Sequence, residues 1–404
     1  MSRLPRLRAA AAAVFLALAG TAFVASAQQA QQAVRPEVGN PLKAAQGLTK
    51  AGKHREALAE IAKADAASGK TAYENQLINQ MRGSVAMQAG DNETAMRSFE
   101  AVLNSGNLPA GEQQKILQAL SGIAYRGKDY PKAITYSNKY RQLGGSDPSM
   151  RTVLLQSYFL TNDCNSVNKI IGDTDSRRPT EDELQILANC HLRQKDTGGY
   201  VSAMEKLATH YPKKEYWTDL LNRVQKKPGF SDRLALDVYR LKLATGNITS
   251  AADYMEMAQL ALQAGIPSEA KVIVDKGYST GVLGKGAEAD RQKRLKDLVE
   301  KQLAESKQAR AAGEKEATEA KDGTDLVKLG ANYVYEGNAD KGIKMMEQGV
   351  KKGGLKRPDD AKLQLGEAMI QAGQRARAVQ VLREVKGNDG TADLARLWSL
   401  HAQR

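Results

Sequence analysis

The chain has 404 residues, with 59 Lys and Arg against 46 Asp and Glu, a formal net charge of +13, and only 5% aromatic residues. At that length one spherical core is not expected, so a repeat array or several domains must carry the hydrophobic burial. Abundant Ala, Leu, Gln and Lys favour helices over strands, and the basic excess points to anionic partners, although Lys and Arg scattered rather than striped also read as a solubility device.

Residues 1–27 read as a secretory signal peptide: basic Arg3, Arg6 and Arg8, an apolar run from Ala9 to about Val24, and the small triplet Ala25-Ser26-Ala27. The run is shorter than the roughly 20 residues of a spanning helix, no Cys lies nearby to carry a lipid, and no second long apolar segment follows. The mature chain is therefore expected to be exported to a bacterial periplasm and not to be an integral membrane protein. It keeps a net charge of about +10 once the three leader arginines are gone. Nucleic acid is not an expected partner there.

After a flexible segment at 28–37, a pattern recurs: a small residue, a Gly seven positions on, and a small residue five further. Its copies are Ala45, Gly52 and Ala57; Gly83, Gly90 and Ala95; Ala258, Gly265 and Ala270; Gly330, Gly337 and Gly342; Gly366, Gly373 and Ala378. Each copy reads as two helices joined by a tight turn. The outer small residues let the helices cross closely, and the middle Gly takes the positive φ that ends the first helix. Between the clear copies lie degenerate ones. A third unit through Tyr130 and Ala133 has Lys128 where the turn Gly should stand, a fourth runs through Tyr158 and Val167, and a fifth through Leu187, Ala188 and Leu207 to Pro212. From Trp217 to about Thr245 a helical rhythm persists in Leu220, Leu221, Val224, Leu234, Val238 and Leu241 without the small-residue signature.

The array at 38–284 gives way to a charged helical connector at 285–322. There Leu295, Leu298, Val299 and Leu303 make a short apolar stripe, and Glu305 to Lys321 contains no large apolar residue. It reads first as a packing strut, with a hinge or a partner-binding arm as the alternatives. A C-terminal pair of repeats follows at 323–404. Its last helix, carrying Leu394, Leu397, Trp398 and Leu400, is expected to cap the exposed apolar end. The expected fold is all-α: an α-solenoid of stacked helix-turn-helix repeats with a capping C-terminal helix.

The run Ala89-Gly90-Asp91-Asn92-Glu93-Thr94-Ala95 followed by Phe99, and Ala264-Gly265-Ile266-Pro267-Ser268-Glu269-Ala270 preceded by Tyr254, resemble the tetratricopeptide repeat (TPR) family. The resemblance extends along most of the mature length. It implies that the first helix of each hairpin lines a concave groove, which here would carry Gln80, Lys115, Gln118, Tyr125, Arg126, Gln156, Gln185, Asn189, Arg193 and Gln259, with Met255 and Glu367 at equivalent positions. Amides suit an extended peptide backbone, and Lys115, Arg126 and Arg193 suit a carboxylate. The same register puts Cys164 at the start of one helix and Cys190 near the end of its antiparallel neighbour. A disulfide is then reasonable in an oxidising compartment, with two buried thiols as the alternative. The stretch from Tyr211 through Trp217, Pro228-Gly229-Phe230 and Arg233 to Arg240-Leu241-Lys242 is similar to one in proteobacterial envelope TPR proteins, some associated with TonB-ExbB-ExbD systems. That similarity implies such a partner but brings no functional residue with it.

No catalytic, cofactor or metal site stands out. The four histidines, His54, His191, His210 and His401, are dispersed, and the adjacent Cys190 and His191 lack further ligands for zinc. Gly281, Gly284 and Gly286 around Lys285 fit neither the P-loop nor the dinucleotide fingerprint, and Glu181 and Asp182 open a helix, where they serve its dipole. The expected function is a non-enzymatic periplasmic scaffold that binds protein or peptide segments and assembles a cell-envelope complex. A binder of an anionic envelope polymer, peptidoglycan or lipopolysaccharide, is the alternative. A hydrolytic enzyme on a helical solenoid is the remote one, for want of a nucleophile and base at a suitable spacing.

Overall fold

The computed structural model describes residues 33–106, 108–172 and 177–404. The signal-peptide segment lies outside the described residues, as do residues 28–32 of the segment at 28–37. Among the described residues every regular element is helical. They group into two compact units, the first ending at Ser157 and the second starting at Tyr158.

The first unit is a run of helical hairpins: α1 (Pro36–Lys50) with α2 (His54–Asp65), α3 (Ala72–Ala89) with α4 (Asn92–Asn104), and α5 (Ala110–Arg126) with α6 (Tyr130–Gln142). The next helix, α7 (Pro148–Leu160), contains the division between the units. Local chemistry sets the helix starts. Thr71 accepts from the Glu74 amide while the Glu74 carboxylate accepts from the Thr71 amide, a full capping box, and Asp91 and Asp129 cap α4 and α6. Gly90 ends α3 at φ 78°. The spacing of small residues has the expected consequence at Gly83, where an added Cβ would lie 2.7 Å from the Phe99 ring. The glycine is the seat of the aromatic side chain that closes the hairpin. Val38, Leu42, Ile61 and Ile78 fill one core, and Phe99, Leu117, Leu120 and Ile123 fill the next. Each large aliphatic side chain so buried is worth roughly 1.5–3 kcal/mol of transfer free energy.

The second unit begins with α8 (Cys164–Gly172) and the hairpin α9 (Glu181–Arg193) and α10 (Thr197–His210). Next come α11 (Lys214–Gln225), a 3-10 turn at Asp232–Leu234 and α12 (Ala235–Ala244). Three more hairpins follow: α13 (Ala251–Gln263) with α14 (Pro267–Ser279), α17 (Thr324–Tyr335) with α18 (Ala339–Lys352), and α19 (Pro358–Gln371) with α20 (Arg375–Leu382). The segment 285–322 folds as α15 (Ala289–Gln308) and α16 (Arg310–Glu319). The first of these packs on α13 and α14 through Leu295 and Val299. The second packs on α17, held by Arg310 to Glu336 and by Lys341 to Glu314 at 2.9 Å.

Where the sequence lacks the turn glycine, a side-chain-bearing residue takes its conformation. Lys128 and Asn162 have φ 63° and Lys195 φ 57°, against 75–87° at Gly52, Gly90, Gly265, Gly337 and Gly373. The degenerate repeats therefore keep the turn and bear its steric cost.

The last helix, α21 (Thr391–Ala402), covers the hairpin of α19 and α20 as a terminal cap should, and its other side meets α10 and α12. Ion pairs lock this closure: Arg233 to Asp360 at 2.8 Å and Asp389 at 2.6 Å, Lys227 to Asp393 at 2.6 Å, and Arg396 to Glu205 at 2.8 Å. The Ser231 amide also donates to the Asp389 carbonyl at 3.0 Å. The second unit thus returns on itself, its end seated against residues more than a hundred positions earlier.

Candidate functional site

In the first unit the predicted groove residues lie on α3, α5 and α7. Gln80 is half-buried, with no partner for its side-chain amide, and Lys115 is exposed and pairs only with Glu112 of its own helix at 2.9 Å. Arg126 is exposed with no hydrogen-bond or ion-pair partner. The others are engaged within the unit. Gln118 donates to Asp147 Oδ2 at 3.0 Å and to the Tyr140 hydroxyl at 3.4 Å, while the Tyr125 hydroxyl donates to Gln156 Oε1 at 2.6 Å. These bonds tie α5 to α6, to Asp147 and to α7. They also fix the orientation of the amides, leaving the Gln156 N–H groups and the Gln118 carbonyl oxygen without a partner in the chain.

In the second unit the groove residues are more fully engaged. Gln185 donates to the Tyr216 hydroxyl at 2.6 Å, and that hydroxyl donates to Glu181; burial first, then this bond, pushes the Tyr216 phenol up to about 12. Asn189 donates to the Gln185 carbonyl at 2.8 Å. Arg193 donates to the Phe159 carbonyl at 2.7 Å and stacks with its guanidinium 3.7 Å from the Phe159 ring centre, a contact that braces the chain rather than presenting a free cation. Gln259 is half-buried and unpartnered. Met255 and Glu367, which the repeat register places on the same face, are instead buried, at 7% and 6% exposure.

The Cys164 and Cys190 sulfurs are at disulfide distance, 2.21 Å, with Cα atoms 5.3 Å apart. The bridge joins the first residue of α8 to α9.

Burial of Glu367 follows from a charged cluster that sequence reading did not single out. Arg240 on α12 grips Glu269 of α14 with Nε at 2.7 Å and Nη2 at 2.6 Å, and its Nη1 donates to Asp237 at 2.8 Å and to Glu367 Oε2 of α19 at 3.0 Å. The Tyr335 hydroxyl adds a bond to Glu269 at 2.9 Å. Burial opposes the Arg240 charge, but Glu269 and the other acids outweigh it and hold the guanidinium protonated. One cation faces three buried carboxyls. Burial therefore pushes Asp237 up to about 6 and Glu367 well above the carboxylate range, the Asp237 charge adding to the latter. A cavity of about 210 Å³ opens beside the cluster, walled by Leu243, Met257, Ile273 and Trp398. Among the described residues no three His, Cys, Asp or Glu side chains converge as metal ligands, and no helix is long and apolar enough to cross a membrane.

Stacked hairpins crossing at small residues define a tetratricopeptide-like helical array. No protein-family model and no curated protein matches the sequence. Among solved structures the chain is similar to one in the complex of Naa15/Naa10 bound to HypK-THB, at 13% identity over 87% of this chain and 58% of that one, with a TM-score of 0.33. It is also similar to yeast Tom70 (11% identity, 90% of this chain, 95% of that chain, TM-score 0.27) and to a chain of the APC/C hetero-tetramer Cut9-Hcn1 (12%, 88%, 83%, 0.21). Superpositions this loose carry no functional argument, and the fold assignment rests on the helix pairing itself.

Proposed function

We propose that the protein is a non-enzymatic scaffold that binds protein or peptide segments on the first unit and assembles a complex in the cell envelope. The observation that supports this reading is the surface of α5 and its neighbours. Arg126 is an unpaired, exposed cation, and Gln80, Gln118 and Gln156 on α3, α5 and α7 keep amide groups with unused donors or acceptors. That combination suits an extended backbone with a carboxylate. The periplasmic setting rests on the leader at 1–27, and a TonB-ExbB-ExbD type partner rests only on the similarity of the stretch from Tyr211 to Lys242. Within that stretch Trp217 is in the core, and Arg233 and Arg240 hold the second unit closed. Its residues therefore speak for architecture more than for a partner.

The test is photo-crosslinking in cells from a reactive residue at Gln80 or Lys115, repeated with Gln118→Ala, Arg126→Ala and Gln156→Ala combined. Crosslinks to an envelope protein that vanish in the triple variant, with helicity unchanged, support the reading. Crosslinks that persist move the site elsewhere. Binding of peptidoglycan or lipopolysaccharide that weakens steeply with ionic strength would favour the basic surface as a polymer binder.

A further inference from the structure

The 210 Å³ cavity in the second unit has an apolar wall, a charged floor and an exposed rim made by Val272, Lys276 and Gln371. Four of the five guanidinium N–H donors of Arg240 go to Glu269, Asp237 and Glu367 Oε2. Glu367 Oε1 receives nothing, although the side chain is only 5% exposed and the residue lines the cavity. A buried carboxyl oxygen without a partner is rare in native proteins.

The charge balance says what would satisfy it. Asp237, Glu269 and Glu367 face the single Arg240, so the floor lacks positive charge, and an anion would meet three carboxyls. A metal dication would need a convergent oxygen set, which the described residues do not supply. At about 30 Å³ per water the cavity has room for about seven, which suits a short chain and not a nucleotide, and the apolar wall of Leu243, Met257 and Ile273 does not suit a sugar. We propose that this cavity binds a primary alkylammonium group, with Glu367 Oε1 accepting from the ammonium and Leu243, Met257, Ile273 and Trp398 enclosing the alkyl chain. Burial raises Glu367 well above the carboxylate range in spite of the Arg240 contact at Oε2, and binding of the ammonium releases the proton so held to solvent, leaving Oε1 as its acceptor. The ligand is either a free small amine or the lysine side chain of a bound polypeptide. The inference does not depend on the peptide surface of the first unit.

The experiment is calorimetric titration of the full chain with n-butylammonium, with n-pentanol as the uncharged probe, and with a short lysine peptide and its norleucine counterpart. The variants Glu367→Gln and Val272→Trp are titrated alongside. The first removes the anionic acceptor at constant shape. The second narrows the exposed rim without touching the buried network, and so serves if Glu367→Gln fails to fold. Saturable binding of butylammonium but not pentanol, weakened at least tenfold by either folded variant, supports the proposal and assigns a free amine. Binding confined to the lysine peptide, lost with norleucine and in the same variants, supports it and assigns a polypeptide. Absence of binding by every ammonium probe, equal binding of pentanol, or unchanged affinity in both variants overturns it.

Discussion

The crossing of α17 and α18 is the place where a single methyl group should do most harm. A Cβ on Gly330 would lie 2.5 Å from the Gly342 carbonyl oxygen, 2.5 Å from Met346 Cγ and 2.9 Å from the Met346 amide nitrogen. A Cβ on Gly342 would return the clash at 2.5 Å from the Gly330 oxygen. Two of the three obstacles to Gly330→Ala are backbone, so rotamer changes cannot clear them and the helices must part by close to 1 Å. A gap of that size forfeits roughly a quarter to a half of each dispersion contact across the interface. Overpacking alone costs about 1–3 kcal/mol, and replacing a helical Gly by Ala returns about 1 kcal/mol of helix propensity. With the lost contacts included, Gly330→Ala should destabilise the second unit by about 2–3 kcal/mol.

Gly366→Ala is the control. Its Cβ would meet Leu382 at 2.5 Å, but every atom in the way belongs to a flexible side chain. Propensity then nearly offsets the clash, and the net change should stay within about 1 kcal/mol. Both tryptophans, Trp217 and Trp398, lie in the second unit, so urea unfolding followed by their fluorescence isolates it from the first. Gly83→Ala, which drives a Cβ against Phe99 in the first unit, should leave the fluorescence midpoint in place while lowering the far-ultraviolet dichroism transition. If Gly330→Ala matches the wild type or exceeds it, or if Gly366→Ala is the worse of the pair, backbone contact is not what closes these hairpins.

Three further outcomes are expected. Reducing the Cys164–Cys190 bridge, whose partners are 26 positions apart, should lower the fluorescence midpoint of the second unit by an amount equivalent to about 3.5 kcal/mol in the chain-entropy model, and Cys164→Ala with Cys190→Ala should reproduce it without reductant. Lys128→Gly and Lys195→Gly should each stabilise their own unit by about 0.5–1 kcal/mol in urea melts, since relief of left-handed strain exceeds the extra freedom of an unfolded glycine. Acid should act on the second unit in two opposed ways. Burial, followed by the Arg404 and Arg375 charges, lowers His401 to about 4, so its contribution is complete above its unfolded value near 6.5 and is lost as pH falls toward 4. Asp237, raised to about 6, contributes most below its unfolded value near 3.9 and loses that as pH rises through 6. Relative to wild type, urea midpoints of His401→Gln should therefore climb on acidification from pH 7 to 4.5, those of Asp237→Asn should fall, and the reverse order would refute the assignment.

How far the sequence reaches is clearest in the second unit. Gly330 and Gly342 announce their crossing because close approach needs a missing side chain, and a missing side chain is visible as a letter at a fixed offset. The turns at Lys128, Asn162 and Lys195 follow the same spacing without the letter, since the hairpins on either side hold those residues at positive φ whatever their own preference. Cys164 and Cys190 were legible as a pair through the same register. The candidate groove residues lie on α3, α5, α7, α9 and α13, but which of them stay available is not readable from the repeat register. Gln118, Gln185 and Arg193 are held by Asp147, Tyr216 and the Phe159 carbonyl, partners supplied by neighbouring repeats 29, 31 and 34 positions away. The Arg240 cluster was out of reach for a further reason. Arg240 and Glu367 stand 127 positions apart and meet through the packing of α14 on α17 and of α17 on α19, with α21 seated against α10 and α12. Nothing in the local pattern around Glu367 distinguishes it from Gln259, which has the same place in its own hairpin and stays half-buried. The same packing that buries Glu367 leaves Oε1 without a partner, so the feature most suggestive of a ligand is a product of tertiary packing and not of any motif.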